Sequence, residues 1–387
     1  MNCPHAGTCG GCSLLHLSYI AQLSSKEAAL RELLGPMLPR TLGGGSGSLF
    51  LEIPPLADDP RHFRQKVAFV FGGGPSRRDL SMGHYRRGSR QVVPVSTCPV
   101  HSDRGNRIAF ALRDHLSRAG IGAAAPGSSG ILRHILVRTT ADDTQAVAML
   151  VVSRNDKALR SPVRAFLEST ERPDGFFINI NTDPGPFMVG HHTIRIEGSS
   201  HIREMVGGIT YLVSPTAFFQ TNVHAARVLQ DYVVQSLQHA ERVLDLYCGS
   251  GLFSLPLAVN GVRVTGVEEN PQAIADASAN ARLNRVPSSR ARFIAASVES
   301  SLPGLRKESW DGVILDPPRQ GCSDQVLEAT FQDLRPPTVT YVSCNPQSLG
   351  AELPGILQCG YRIADVRAVD MFPHTDHLEA VVTLRRS

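Results

Sequence analysis

The chain has 387 residues, of which 42% are hydrophobic and 19% are charged, and its formal net charge is +4. That length predicts two or three domains rather than one simple core, and the small positive charge favours polyanionic partners only weakly. No run of about 18 apolar residues is present to span a bilayer, and residues 1–5 lack the features of a secretory signal. We therefore expect a cytoplasmic protein that binds no membrane and acts as a monomer.

Cysteines crowd the start of the chain. Cys3, Cys9 and Cys12 lie in a glycine-rich stretch without hydrophobic periodicity, which predicts a loop wrapped around a ligand. A thiolate site needs a fourth ligand, and Cys98 is the candidate. Four thiolates suit a structural zinc or an iron–sulfur cluster, and the single, remote fourth ligand favours [4Fe-4S], since zinc sites more often pair short spacings in both halves.

The first predicted domain covers residues 1–48. Apolar residues recur at helical spacing over 18–34, and Gly35-Pro36 ends that helix. A glycine- and serine-rich stretch over 42–48 predicts a linker.

The second predicted domain, residues 49–213, is rich in strand signals and shows no alternation of strands with helices. It is expected to be an α+β domain on an antiparallel sheet. The predicted strands are 66–71, 90–95, 132–139, 146–153, 175–181 and 193–197, and the predicted helices are 106–119 and 158–168.

Cations and aromatic residues lie together in the first half of this domain. They are residues 62–66, Arg77 and Arg78, and residues 85–87 with Arg90. This composition is typical of phosphate contact combined with base stacking, so we expect an RNA-binding surface here, although a plain solvated basic face has the same composition.

The third predicted domain, residues 214–387, alternates strands and helices, which predicts a doubly wound α/β sheet. Its predicted strands are 242–247, 263–267, 292–295, 312–315 and 338–342, with a last strand pair over 361–384. Its predicted helices begin at Thr221 or Asn222 and cover 252–259, 271–284 and 323–332.

A glycine turn and an acidic residue predict a nucleoside site in this domain. Asp245-Leu-Tyr-Cys-Gly249-Ser-Gly251 covers the end of the first strand and the glycine turn after it, and Glu268 ends the second strand, where a carboxylate can hold two ribose hydroxyls. A dinucleotide-binding fingerprint would need a third Gly or Ala near position 254, and this chain has Ser254 there. The pattern therefore favours an S-adenosylmethionine-dependent methyltransferase, Rossmann-like in fold.

Two later strand ends indicate which reaction is catalysed. Asp316-Pro-Pro is followed by Arg319, where enzymes that methylate amines carry an aromatic residue, so amine methylation is disfavoured. A thiol such as Cys344 can add to carbon 6 of a pyrimidine and make carbon 5 nucleophilic. A base must later remove the carbon-5 proton, and Glu379 is the first candidate, ahead of His374 and His377.

Taken together, these residues resemble the RNA (uracil-5-)-methyltransferases, a family of cytosolic bacterial enzymes that methylate uracil in 23S ribosomal RNA or in tRNA. The resemblance covers nearly the whole chain and rests on the cysteines, residues 214–222 and 245–251, Gly-Val-Glu268, Asp316-Pro-Pro-Arg-Gln-Gly, Ser-Cys344-Asn-Pro and residues 374–379. It implies Cys344 as nucleophile and Glu379 as base. It implies S-adenosylmethionine contacts at Gln220, Tyr247, Glu268 and Asp316, beside Gly249 of the turn, and a [4Fe-4S] cluster on Cys3, Cys9, Cys12 and Cys98. The chain departs from the pattern at Leu252 and Ser297, where relatives often have Asn.

Members with an oligonucleotide-binding TRAM domain carry it ahead of the cysteines. Because Cys3 is the third residue here, the chain resembles the short 23S rRNA enzymes, which favours ribosomal RNA over tRNA. The expected activity is methylation of a flipped-out uridine, with Phe218 or Phe219 stacking on a base or filling the gap. Cytosine-5 methylation and a non-catalytic RNA-binding protein with a relict cofactor site are the alternatives.

Overall fold

The computed structural model describes residues 1–38, 53–55, 57, 60–73, 80–125, 129–183 and 188–387. The predicted linker at 42–48, the boundary at residue 48 and the Arg77-Arg78 pair lie outside these residues. No helix within the described ranges is both long and apolar enough to cross a membrane.

The N-terminal segment is a loop that leads into α1 (Tyr19–Leu34), as the apolar spacing predicts. The Ser18 hydroxyl accepts a hydrogen bond from the Ala21 amide at 3.3 Å and so caps the first turn. Leu23, Leu30 and Leu34 of α1 are buried in the same hydrophobic core as the strands of the C-terminal sheet. Helix α1 is therefore packed on the C-terminal half of the protein.

The middle of the chain forms a mixed sheet with strand order β3-β2-β1-β4-β5-β6-β7 in its described part. Its elements are β1 (Lys66–Gly73), β2 (Leu80–Tyr85), β3 (Val92–Pro94), α2 (Asp103–Arg118), β4 (Leu132–Thr139), β5 (Ala146–Val152), α3 (Arg160–Leu167), β6 (Gly175–Ile180) and β7 (His192–Gly198). Neighbouring strands are antiparallel except β5 and β6, which are parallel. The expectation of a purely antiparallel sheet is wrong at this pair, because α3 carries the chain back across the sheet as a crossover.

A separate hairpin, β8 (Ile202–Val206) and β9 (Ile209–Val213), connects the two halves and was not predicted. Its two-residue turn is Gly207-Gly208, both at positive φ (59° and 79°), the conformation of the tight turn that matches strand twist.

The C-terminal half is the doubly wound sheet that the sequence predicts. Its elements are α4 (Val223–Ser236), β10 (Arg242–Leu246), α5 (Ser254–Val259), β11 (Arg263–Glu268), α6 (Pro271–Leu283), β12 (Ala291–Ala295), α7 (Val298–Leu305), β13 (Gly312–Leu315), α8 (Asp324–Glu328), β14 (Thr338–Ser343), α9 (Pro346–Gln358), β15 (Tyr361–Val369) and β16 (Glu379–Arg386). The strand order is β12-β11-β10-β13-β14-β16-β15 in the described chain. Strands β10 to β14 run parallel, and β16 is antiparallel to both of its neighbours. Helices α7 and α9 were not predicted, and the helix expected over 323–332 continues beyond α8 as a π-helix, Ala329–Leu334.

Candidate active site

Side chains from four parallel strands meet at one edge of the C-terminal sheet. Tyr247 follows β10, Glu268 ends β11, Asp316 follows β13 and Cys344 follows β14. Because the carboxyl ends of parallel strands share an edge, the sequence motifs converge there, as they do in open α/β sheets generally.

Glu379 reaches the same edge from the opposite direction. It is the first residue of β16, and the antiparallel register pairs Ser343 with Ala380. That register places Glu379 opposite the residue after Ser343, which is Cys344, with both side chains on one face of the sheet. The carboxyl group of Glu379 is buried, at 5% exposure. The thiol and the candidate base are therefore neighbours across one strand pair.

The surroundings shift the pKa values of both groups. Burial, and then the negative charges of Glu379 and Asp316, raise the pKa of Cys344 to about 11, while Arg319 opposes the rise. Burial raises the pKa of Glu379 to about 7, and Arg319 again opposes it. A carboxyl group with a pKa near neutrality is well matched to proton removal at the pH of the cell.

An open cavity of roughly 300 Å³ lies beside the thiol. Its lining combines Cys344 and Arg319 with Asn345, His377 and, from α1, Lys26. This volume is at the lower end of the range for small-molecule sites, about 300–1,000 Å³. The cavity is thus large enough to admit a small ring next to Cys344.

The backbone at the end of β10 forms a turn that brings amide groups toward Glu268. Tyr247, Gly249 and Gly251 all have positive φ (67°, 52° and 90°). The Gly249 amide donates to one oxygen of Glu268 at 3.2 Å, and the Asn270 amide donates to the other at 2.9 Å. These bonds fix the carboxylate at the end of β11, where a ribose would be held.

Acidic groups accumulate behind this turn. Burial raises the pKa of Asp245 to about 7, and burial together with the charges of Glu379, Asp245 and Glu268 raises the pKa of Asp316 well above its usual range. Asp245 accepts a 2.5 Å hydrogen bond from the Ser254 hydroxyl on Oδ2, while its Oδ1 is buried and has no partner among the described residues. Carboxyl groups whose ionisation is disfavoured by burial and mutual repulsion fit a positively charged ligand, and S-adenosylmethionine carries an ammonium and a sulfonium group.

The loop over residues 214–222 leads from β9 into α4. Gln220, a predicted cofactor contact, is half-buried there. Asn222 caps α4 through the Ala225 amide at 3.1 Å and donates to the Met371 carbonyl at 3.3 Å. Phe219 is buried against Tyr211, with ring centroids 5.3 Å apart, whereas Phe218 is 72% exposed. Of the two predicted stacking residues, only Phe218 is accessible to RNA.

Leu252 and Ser297 have structural roles. The Leu252 carbonyl accepts hydrogen bonds from Tyr211 and Gln230, at 3.1 and 3.0 Å. The Ser297 hydroxyl caps α7 by accepting a hydrogen bond from the Ser300 amide at 3.2 Å.

A second cavity, of roughly 230 Å³, is lined by all four predicted metal ligands, Cys3, Cys9, Cys12 and Cys98. Burial, with repulsion between the thiol groups, raises the pKa of Cys12 to about 12, and burial raises the pKa of Cys98 to about 11. The Gly11 amide donates to the sulfur of Cys9 at 3.4 Å. The four thiols converge, and those of Cys12 and Cys98 resist ionisation in the absence of a cation. A backbone amide also points at one sulfur, and together these features fit a thiolate-bound metal centre.

Two histidines at this cavity were missed by the sequence analysis. His84 and His101 have ligand atoms within 4.8 Å of each other and of the Cys98 sulfur. Burial lowers the pKa of His84 to about 4 and lowers the pKa of His101 well below its usual value. Both are therefore neutral, and no spacing in the sequence links them to Cys98.

The predicted basic and aromatic cluster divides into two parts. Phe63 is buried, and Arg64 lines the cysteine cavity. The residues 85–90 between β2 and β3 are exposed and contact the cysteine loop, where Gly10 donates to the Tyr85 carbonyl at 2.9 Å and Arg87 donates to the Cys12 carbonyl at 3.2 Å. Among the described residues of the cluster, only this exposed turn can form a basic surface that faces RNA.

The chain matches known proteins over its whole length. A family model described as tRNA (Uracil-5-)-methyltransferase matches residues 201–387. An uncharacterised RNA methyltransferase of Gloeobacter violaceus is 33% identical over 100% of this chain and 82% of its own, and one of Bacillus cereus is 32% identical over 99% and 82%. The crystal structure of Pyrococcus abyssi tRNA (uracil-54, C5)-methyltransferase in complex with S-adenosyl-L-homocysteine is similar with a TM-score of 0.78 and 27% identity, covering 98% of this chain and 86% of that one.

The strand-end geometry, the cluster of carboxyl groups at these strand ends and these relatives agree with the resemblance inferred from the motifs. The non-catalytic alternative is wrong, because the matches are to methyltransferases over the entire chain. This protein belongs to the RNA (uracil-5-)-methyltransferase family and is an S-adenosylmethionine-dependent RNA methyltransferase.

Proposed function

We propose that this enzyme methylates carbon 5 of a uridine in a folded RNA through a transient covalent bond to Cys344. The observation that carries the proposal is the position of Cys344 opposite Glu379 across β14 and β16, with the charges of Asp316 and Arg319 acting on the same thiol. If the uracil ring binds in the cavity next to Cys344, the thiol would be close to carbon 6 and the Glu379 carboxylate would be close to carbon 5.

Each residue has a definite chemical task. The Cys344 thiolate bonds to carbon 6, and the electron pair of the 5,6 double bond makes carbon 5 nucleophilic. S-adenosylmethionine supplies the electrophilic methyl group, whose bond to sulfur breaks as carbon 5 takes it. Glu379 then accepts the carbon-5 proton, the 5,6 double bond re-forms from the C–H electron pair, and the bond between carbon 6 and sulfur breaks.

Arg319 would assist both catalytic groups. Its charge lowers the pKa of Cys344 and of Glu379, against the effect of burial. The side chains of Asn345 and Ser348 each donate to the Arg319 carbonyl at 2.9 Å, which fixes this backbone at the cavity. The guanidinium is thus the cation that would stabilise the thiolate and the negative charge developing on the ring.

The cofactor would be held by Gln220, Tyr247, Gly249, Glu268 and Asp316. Glu268 is already oriented by two amides and would bind the ribose hydroxyls. Tyr247 and Gly249 belong to the turn with positive φ, which lets a nucleoside approach the backbone. Asp316 lies between this turn and Cys344 and would face the positive end of the cofactor.

RNA would approach over the exposed Phe218 and the basic turn at residues 85–90. A uridine must leave its stack to reach Cys344, and an exposed aromatic ring such as that of Phe218 is suited to replace it in the stack. The arginines of the turn would contact phosphates.

As substrate we propose 23S rRNA, one of the two classes of RNA on which the family that the motifs resemble acts. A tRNA substrate is the second candidate, supported by the similarity to the Pyrococcus abyssi enzyme. We expect that RNA from cells lacking the gene, incubated with the protein and labelled S-adenosylmethionine, will acquire 5-methyluridine at one position of 23S rRNA. If the labelled methyl group appears in tRNA instead, tRNA is the substrate and 23S rRNA is not. Formation of 5-methylcytosine would contradict the proposal.

We further propose that Cys3, Cys9, Cys12 and Cys98 bind a structural [4Fe-4S] cluster. When bound, the cluster would hold the N-terminal loop against the turn at residues 85–90. The expected result for protein purified without oxygen is a broad visible absorbance shoulder and close to four irons per chain, both lost in Cys98→Ala. Cys359, at the end of α9, offers a matched control, since Cys359→Ala should keep the iron. Zinc in place of iron would overturn the cluster assignment and point to the thiols and the neighbouring histidines as a zinc site.

A further inference from the structure

The loop that joins β15 to β16 delivers Glu379 to the active site. Residues 370–378 form this loop, and it contacts the N-terminal part of the chain at several points. Its first residue, Asp370, forms a fully buried ion pair with Lys26 of α1, with Nζ and Oδ1 2.6 Å apart and side chains 2% and 0% exposed. Lys26 also donates to the Phe372 carbonyl at 3.3 Å.

Gln22, one helical turn before Lys26, holds the middle of the loop. Its side-chain carbonyl accepts a hydrogen bond from the His374 amide at 3.0 Å, and its amide group lies 3.3 Å from Nδ1 of the His374 ring. The other ring nitrogen of His374 is 2.9 Å from the Pro60 carbonyl and so carries the proton. Both ring nitrogens are engaged, and His374 is therefore a structural residue rather than an alternative base.

Ser13 and Leu14 hold the same loop from a third direction. Their amides both donate to the His374 carbonyl at 2.9 Å. The Asp376 amide donates to the Ser13 hydroxyl at 3.1 Å, and that hydroxyl lies 3.3 Å from the Asp376 carboxylate. Ser13 directly follows Cys12, so these hydrogen bonds attach the loop to the residue next to a cysteine of the cavity.

These contacts matter because the loop has a strained, specific shape. His374 has a φ of 67°, in the left-handed region that few non-glycine residues adopt. A connecting loop without such support is normally mobile, whereas a catalytic group must be held within about 0.5 Å of its productive position. The support comes from α1, which is itself anchored in the core by Leu23, Leu30 and Leu34.

We propose that Gln22, together with Lys26 and Ser13, positions Glu379 for proton removal, so that the cysteine-bearing N-terminal segment sets the geometry of the base. The inference rests on the proposed function of Glu379. Gln22 does not line the cavity beside Cys344; it acts through His374 and the four residues that separate His374 from Glu379. Its loss should therefore slow release of the RNA adduct and leave formation of the adduct intact.

The test uses the full-length, metal-loaded protein and compares Gln22→Ala with Glu32→Ala, which alters an exposed position on the same helix. For Gln22→Ala we expect adduct breakdown to slow by about 10- to 100-fold, so that a covalent protein–RNA band accumulates on a denaturing gel. S-adenosylmethionine binding and metal content should be unchanged. Glu32→Ala should behave like the unaltered enzyme.

A milder variant keeps the inference testable if Gln22→Ala does not fold. Ser13→Ala removes only the hydroxyl link to Asp376 and should show the same accumulation to a smaller extent. The inference is overturned if either folded variant loses adduct formation and S-adenosylmethionine binding together, since that marks general destabilisation, or if adduct breakdown keeps its normal rate. Failure of Glu379→Gln to trap any adduct would instead remove the proposed base itself.

Discussion

Cys344→Ala is expected to abolish methylation, with a loss of about 10⁴-fold or more, while S-adenosylmethionine still binds. In the proposed mechanism the thiol supplies the bond that makes carbon 5 reactive, and no other described cysteine lines its cavity. Most of the proposed cofactor contacts lie at the ends of β10, β11 and β13, and none of them involves the sulfur. Tritium release from 5-tritiated uridine in the RNA, together with equilibrium binding of the cofactor, measures both properties.

Cys359→Ala serves as the matched control for this variant. Cys359 is also partly exposed and lies on the same half of the protein, at the end of α9, so its loss should leave activity unchanged. Full turnover by Cys344→Ala would remove the thiol from the mechanism and with it the proposed reaction path.

Glu379→Gln is expected to form the covalent RNA adduct and fail to release it. Glutamine has nearly the same shape but cannot accept the carbon-5 proton, so the methylated RNA stays attached to Cys344. A denaturing gel with labelled RNA should show a stable, shifted band for this variant. Glu328→Gln, at an exposed position on α8, should turn over normally and show no such band.

The same residue predicts how release and stability depend on pH. Because burial raises the pKa of Glu379 to about 7, the release rate of the unaltered enzyme should rise with pH through 7 and level off above it. A carboxyl group with a raised folded-state pKa stabilises the fold below its unfolded pKa, and this contribution is lost as pH rises through about 7. Glu379→Gln should therefore gain melting temperature relative to the unaltered enzyme at pH 8, and less at pH 5. Absence of both the trapped band and this pH-dependent gain would count against the buried carboxylate as the base.

The catalytic half was largely predictable because its chemistry lies at strand ends. Val243, Leu244 and Leu246 mark a buried strand, and the residues after it fall at the ligand edge by the geometry of parallel sheets alone. Helix α9 was not predicted although Leu349, Leu353 and Ile356 recur at helical spacing, because Pro354 inside it is ordinarily a helix-breaking signal.

The support of Glu379 could not be predicted, since its parts are far apart in the chain. Gln22 and His374 are separated by 352 positions, and each has an ordinary local context. The basic cluster was misjudged for a related reason: composition places Arg64 beside exposed arginines, whereas the fold turns its side chain toward the cysteine cavity. The parallel pairing of β5 and β6 likewise depends on where α3 packs.

The antiparallel ladder between β14 and β16 has a consequence for how this enzyme can vary. A slip of one residue in that ladder would bring Leu378 or Ala380 opposite Cys344 and turn the carboxylate to the other face of the sheet. An insertion between residues 370 and 378 can therefore be accommodated only if the extra residues bulge outward. A deletion there is tolerated only if the register between β14 and β16 is preserved. Mutational libraries that vary the length of this connection should yield active clones only when the Ser343–Ala380 pair is kept.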